Sequence, residues 1–388
     1  MSSPLTAPLT GLLVACGFVA ASLADSPRQA RGTAPPPKPA PQVQKAADTW
    51  PPDAKTLESR RKAAEDVRLF ARAEPLPITL TADFKAVMRD RDPKSTKLFP
   101  ATISYPNEDG TTATIPLQIR TRGHSRLLRQ TCDFAPLRLE FPKDQMKKSM
   151  FDGYGPIKLG THCRGVTEFE QYVLREYTVY RMYNLLTPSS YRARLVKATY
   201  IDSVQKKTIA TKYAMFIEDD DELAKRMVGR VLDRQGLMFH NVDPDTLMLM
   251  TIFEYMIGNT DMSMKVLHNI TLVQKPDNST FSIPYDFDYS GLVDASYAVA
   301  DTKQLGIQSV RDRLYRGPCK TAAELEPYFA KFRAAKSDLM GLFDALPDMN
   351  PGYVRDAKKY LDDFYKTIDR PGSVKSQFID NCNNRPGM

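Results

Sequence analysis

Histidine is scarce in this chain, with four in 388 residues. None stands at zinc-ligand spacing from a cysteine and no CxxC pair occurs, which excludes the common structural zinc sites. No GxSxG elbow is present, so the nucleophilic-serine hydrolase arrangement is missing. No internal repeat is visible. Beyond the first 24 residues no segment approaches the ~20 consecutive apolar residues a membrane-spanning helix needs. The basic residues do not cluster either: only short runs such as "ESRRK" and "DQMKK" occur. Nucleic acid is therefore not an expected partner, because its binding surfaces concentrate cations on one face.

The residues that are present suit a folded protein with anionic partners. Hydrophobic content of 42% and charged content of 26% allow a sizeable core. Lys+Arg 54 against Asp+Glu 46 gives a net charge of +8, which favours phosphates, acidic polymers or lipid headgroups. Residues 1–24 carry no charged side chain, and an apolar stretch over 12–21 ends in small residues, with Ser22 and Ala24 before Asp25. This reads as a signal peptide and predicts export to the periplasm, the envelope or the medium. The stretch "LVAC" also fits a lipoprotein signal ending at Cys16, and so envelope association. Removal of the signal leaves Cys132, Cys163, Cys319 and Cys382, which allow three pairings. Closeness in sequence favours Cys132–Cys163 and Cys319–Cys382 in an oxidising compartment; the alternative is four buried thiols.

Residues 25–76 read as a Pro/Ala-rich linker, with a short helix within "TLESRRKAAEDVRLFARAE". Residues 77–217 are strand-rich: "ITLTADF", "FPATISY", "TATIPLQIRTRG", "APLRLEF" and "GPIKLGT" are short, often alternating and bounded by Pro, Gly or Asp. A helix is predicted from Thr167, with "TEFE" as a capping box, as far as Pro188. Two further strands, "RLVKATYIDS" and "KTIATKYAMFIE", form a hairpin pattern. Residues 218–388 are mainly helical. In "DPDTLMLMTIFEYMIGN", Asp243 is a candidate N-cap, Pro244 opens the helix and Gly258 ends it. The arrangement is α+β.

That buried helix empties into Asp261, a hairpin follows, and Asp286 and Asp288 stand at its far end. Pairing of "HNITLVQ" with "TFSIPYD" makes Asn269 and Asp286 neighbours, while an extended backbone points Asp286 and Asp288 to one side. Four oxygen-bearing side chains thus converge. Buried together, the acids repel unless a cation compensates, and such oxygen donors suit Mg²⁺ or Mn²⁺ with phosphate.

The stretches "IPLQIRTRGHSR…PLRLEF" and "IPYDFDYSGL" resemble the arginine-glycine-serine and Asp-x-Asp segments of the spore coat protein H (CotH) kinases. The likeness covers residues 110 to 300 or so. It implies a two-lobed atypical protein-kinase-like fold, with a strand-rich N-lobe for the nucleotide and a helical C-lobe. It makes Asp261 the catalytic-loop residue, which orients the acceptor hydroxyl. Asn269, Asp286 and Asp288 become the metal ligands, and Glu218 the neighbour of the nucleotide base. Arg120, Arg122, Gly123 and Arg126 approach phosphate.

On the helix after Thr167, Phe169, Val173, Glu176 and Tyr180 share a face. A carboxylate there needs a partner, and a Lys158–Glu176 pair would set the lysine against phosphate. Where the family usually carries lysines after its arginine-glycine loop, this chain has "TCDFAPLRLEF", and no GxGxxG loop occurs. The expected activity is Mg- or Mn-dependent transfer of a phosphoryl group from ATP or another nucleotide to a protein or small-molecule hydroxyl. Two alternatives are a catalytically inactive kinase-like surface protein that binds an anionic partner, and a metal-dependent phosphohydrolase using the same aspartates.

Overall fold

The structure, a computed structural model, describes residues 50–142, 146–346 and 348–382. The signal peptide and residues 25–49 of the linker lie outside the described residues. Within the span read as linker, α1 (Ala54–Glu65) forms with Asp53 as its N-cap. The Arg192 guanidinium reaches the carbonyl of Ala64 at 2.6 Å, tying α1 to the rest of the fold.

Seven strands build the centre: β1 (Leu76–Ala82), β2 (Phe99–Pro106), β3 (Thr112–Thr121), β4 (Leu137–Glu140), β5 (Pro156–Gly160), β6 (Ala193–Asp202) and β7 (Lys207–Ile217). A four-residue helix, α2 (Phe84–Val87), follows β1. Burial alternates along β1 and β3, so every second side chain faces inward. Ile78, Leu80, Ile103, Ile119, Leu139 and Leu159 belong to the core so formed.

The strands close in the order β1-β2-β3-β4-β5-β7-β6, and β6 returns to β1 by a parallel pairing from Leu76↔Val196 to Ala82↔Asp202. This corrects the two-lobed kinase-like expectation. An open N-lobe sheet would leave β1 with an unpaired edge, whereas here β6 pairs with it along its whole length and makes a closed barrel. The mixed α+β character stands.

Helices pack beside the barrel. α3 (Thr167–Leu186) starts where expected, but Val166 is its N-cap and no capping box forms. α4 (Asp220–Arg226) and the short β8 (Arg230–Val231) lead to α5 (Pro244–Ile257). The Asp243 carboxylate accepts the Thr246 N–H at 2.8 Å, Pro244 opens the helix, and Gly258 ends it at φ +67. A side chain at Gly258 would collide with the Tyr360 hydroxyl. β9 (Ile270–Gln274) and β10 (Thr280–Pro284) pair antiparallel and form a small sheet with β8. α6 (Ala322–Gly341) and α7 (Pro351–Ile368) complete a second core that contains Phe253, Phe329, Phe332 and Phe364.

Cys132–Cys163 and Cys319–Cys382 are both disulfide-bonded, with Cα separations of 4.6 and 4.9 Å. Two such bonds suit the oxidising environment of an exported protein. Among the described residues no helix is long and apolar enough to cross a membrane.

Candidate functional site

Beyond Gly258 the chain turns sharply. The side chain of Asn259 fixes the turn by accepting the Asp261 N–H at 3.0 Å. The loop returns through an antiparallel bridge between Ser263 and His268 to Asn269, which adopts a left-handed φ of +56. Asparagine tolerates that conformation better than most residues. The Asn269 amide donates to the Asp261 carbonyl at 2.7 Å and to its carboxylate at 3.1 Å, and His268 Nε2 lies 3.0 Å from the other carboxylate oxygen. That bond to Asp261 is the main reason the His268 ring is more basic than usual.

Across the hairpin, the Tyr285 N–H donates to the Asn269 carbonyl at 3.0 Å, which extends the β9–β10 ladder by one pair. The chain then leaves the strand. Asp286 sits at φ +63, its N–H donating to the Tyr180 hydroxyl on α3 at 2.9 Å. Asp286 and Asp288 do approach the same group, through this left-handed turn and not through strand alternation.

The group they approach is Arg126. Gly123, at φ +104, turns the chain after β3, and a short 3-10 turn over Ser125–Leu127 carries Arg126 inward. Its guanidinium lies 3.4 Å from Asp286 and 3.4 Å from Asp288. Both contacts are longer than the ~2.8 Å of a closed charge-assisted bond. Glu176, from the buried face of α3, lies close enough for its charge to act on Arg126, and its Oε1 has no hydrogen-bond partner. Burial opposes the charge on Arg126, but Asp288, Tyr297, Glu176 and Asp286 together more than offset it, so the guanidinium stays protonated. Burial also lifts the Asp288 carboxyl to about 6, against the pull of Arg126, and lifts Glu176 well above the carboxylate range. The Tyr297 hydroxyl donates to Asp288 at 3.1 Å. The cation that makes these acids tolerable together is thus part of the chain itself.

Arg122, Gly123, Arg126, Asp261, Asn269, Asp286 and Asp288 all line one cavity of about 270 Å³. His124, Ser125, Pro136, Leu267, His268, Tyr285 and Tyr289 complete its wall. Larger hollows of about 540 and 450 Å³ lie around the start of α5. The acids of the first are already engaged, Glu324 by Lys320 at 2.9 Å and Asp245 by Tyr328 at 2.6 Å. Convergent charge, more than size, marks the smaller cavity as the site.

Two expected placements are corrected. Lys158 does not pair with Glu176; β5 pairs with β7 so that Ile217 lies opposite Lys158, which brings the start of α4 within reach. The Lys158 ammonium contacts the Asp220 carboxylate at 2.5 Å. Glu218 does not face the cavity. It is fully buried, 2.9 Å from Arg192 and 2.9 Å from Arg226, and is in no position to meet a nucleotide base. Arg120 lies on the barrel wall outside the cavity lining. Asp220 was the missed residue: the acidic run "EDDDE" reads as a solvated helix start, and only the β5–β7 pairing reveals its role.

Among the described residues no three His, Cys, Asp or Glu side chains are grouped to hold a metal ion unaided. The cavity instead offers the Asp286 and Asp288 carboxylates with the Asn269 side-chain oxygen, a hard-oxygen set of the type Mg²⁺ and Mn²⁺ take alongside water and phosphate.

Beneath Asp261 lies a second unpaired group. Glu254 on α5 is fully buried and neither carboxylate oxygen has a hydrogen-bond partner. Burial lifts it from 4.5 to about 8; the nearby Asn259 amide pulls the other way without closing a bond of good geometry. Between those two values the folded state holds a proton that the unfolded chain has lost. Stability therefore falls as pH rises through that window, by about 1.4 kcal/mol per unit. Glu254→Gln removes this dependence. Urea melts should show the variant gaining roughly 2–3 kcal/mol on the native protein between about pH 5.5 and 7.5. A pH-independent difference would mean that Glu254 ionises normally.

No family model matches the chain, and no curated protein matches it.

Proposed function

We propose that the cavity around Asp261, Asp286 and Arg126 is a phosphoryl-transfer site. A basic loop and a set of acids face each other across one small polar cavity, and that observation carries the reading. Arg122 and Arg126 supply charge for phosphate oxygens. Asp286, Asp288 and Asn269 would hold Mg²⁺ or Mn²⁺, whose chemistry when bound is to neutralise phosphate charge. Asp261, oriented by Asn269 and His268, accepts the proton of an acceptor hydroxyl. The resemblance to CotH kinases in the arginine-glycine and Asp-x-Asp segments points the same way, toward a nucleotide donor and a hydroxyl on a protein or small molecule. Export is supported by the two disulfides and is consistent with the charge-free first 24 residues; a lipid anchor at the cysteine at position 16 is the alternative form of that export.

A second reading has its own support. Arg126 already lies against both carboxylates, as it would in a catalytically silent protein that merely binds an anion. Incubation of the purified protein with γ-labelled nucleotide and Mn²⁺ separates the readings. Label on the protein or on an added acceptor supports transfer. Released phosphate alone indicates a hydrolase, and absence of nucleotide binding the silent protein.

A further inference from the structure

The barrel wall beside the cavity carries an unusual row of charges. Arg120 on β3 is the direct partner of Arg138 on β4, and Arg138 is the direct partner of Lys158 on β5. Side chains directly opposite one another project from the same face of a sheet, about 5 Å apart. Their neighbours in sequence, Ile119, Leu137, Leu139, Ile157 and Leu159, are all buried in the barrel core, so the three cations stand on its outer face. Arg122, just past the end of β3, continues this row to the cavity, which it lines.

Like charges directly opposite across strands are destabilising. Acids answer part of this charge, and the charge of Arg122 acts on Glu176 and Asp220. Glu140 lies 2.8 Å from Arg138, Asp219 4.0 Å from Arg138, and Asp220 2.5 Å from Lys158. The Arg120 side chain has no hydrogen bond or ion pair among the described residues. Burial and the adjacent Asp220 raise the Asp219 carboxyl above its ordinary value, against the pull of Lys158 and Arg138.

Base recognition, in contrast, finds few candidates nearby. Glu218 is sealed between arginines, and the rings of Tyr191 and Tyr285 lie 5.5 and 5.3 Å from the Lys158 ammonium, which covers them.

We infer that the outer face of β3–β4–β5 seats a linear chain of phosphates running from Arg122 across Arg120 and Arg138, so that the protein recognises its donor by the phosphate chain and not by a base. This rests on the phosphotransfer reading of the adjoining cavity and adds the chemistry of what enters it. An extended anion touches several cations of the row at once, whereas orthophosphate meets one or two.

Calorimetric titration of the full chain with tripolyphosphate, orthophosphate and adenosine monophosphate tests this. Tripolyphosphate should bind at least about tenfold more tightly than orthophosphate, and adenosine monophosphate should displace it poorly. Arg138→Gln and Arg120→Gln should each weaken tripolyphosphate about tenfold, the loss of one charge-assisted contact, and leave orthophosphate nearly unchanged. Arg120→Gln removes no described partner, so its fold is expected to persist even where Arg138→Gln is damaged. Equal affinity for the two phosphates, unchanged binding in Arg120→Gln, or displacement by the monophosphate at equal concentration would each overturn the inference. Chain-length preference without any phosphoryl transfer overturns the reaction assigned to the cavity alone; transfer without the preference overturns the phosphate track alone.

Discussion

Asp286→Asn is expected to lower phosphoryl transfer about a thousandfold, the scale on which one charge-stabilising group acts in a preorganised site. Asparagine is the better probe than alanine because position 286 holds a left-handed φ of +63, which asparagine accepts and alanine resists. The backbone N–H can still donate to Tyr180, so the turn persists. The side chain is about a third exposed and meets Arg126 only at 3.4 Å, so little folding energy rides on its charge. Transfer should collapse while the melting temperature moves by only a few degrees, roughly the effect of 1 kcal/mol. Initial rates with saturating donor and Mn²⁺, read beside a thermal melt, check both halves. Transfer within tenfold of the native rate would place the chemistry elsewhere.

Arg126→Ala should act in the opposite sense, on the fold first. Its side chain is nearly buried against Asp288, with Glu176 within electrostatic reach. Removing one partner of a buried ion pair costs roughly 3–5 kcal/mol, because the other charge is left in a poor medium. Here the residue left behind is a cluster of acids with no guanidinium beside it. Those acids can recover by taking up protons, so the loss should be smaller at low pH than at neutral pH. The folded-state carboxyls would rise further above their unfolded values, and stability would drop as pH climbs through that raised range. Chemical denaturation at two pH values measures this. Arg126→Lys should recover only part of the loss, since a point charge cannot span two carboxylates as a fork does. A uniform loss below about 1 kcal/mol would show that the acids are solvated instead.

The parts of this molecule that could be read in advance are those decided within a few residues. Asp243, Pro244 and Gly258 bracket α5 through capping and left-handed geometry, both local effects. The hairpin that brings Asn269 near Asp286 follows from turn length and alternation. Paired cysteines at short separation likewise found each other.

What escaped depends on distant pairings. The placing of β7 between β5 and β6, and of β6 against β1, has no signature in any one strand. That order decides whether the sheet is open or closed, and hence whether the kinase-like architecture applies. It also decides the partner of Lys158: with Ile217 opposite, Asp220 comes within reach and Glu176 does not. The role of Arg126 was hidden for another reason. A long side chain on a loop can be placed against any of several acids, and only the packed geometry of α3 and the turn at Asp286 selects among them.

The parallel seam between β1 and β6 has a consequence for how the chain comes to be folded. Leu76 must wait for Val196, more than a hundred residues later, before its outer edge is covered. Until that late strand is delivered, a nascent or translocating chain carries a naked hydrogen-bonding rim, the kind that recruits neighbours into aggregates. The rim is covered once β6 pairs with β1, and the ring itself shuts only when the still later β7 seats between β5 and β6.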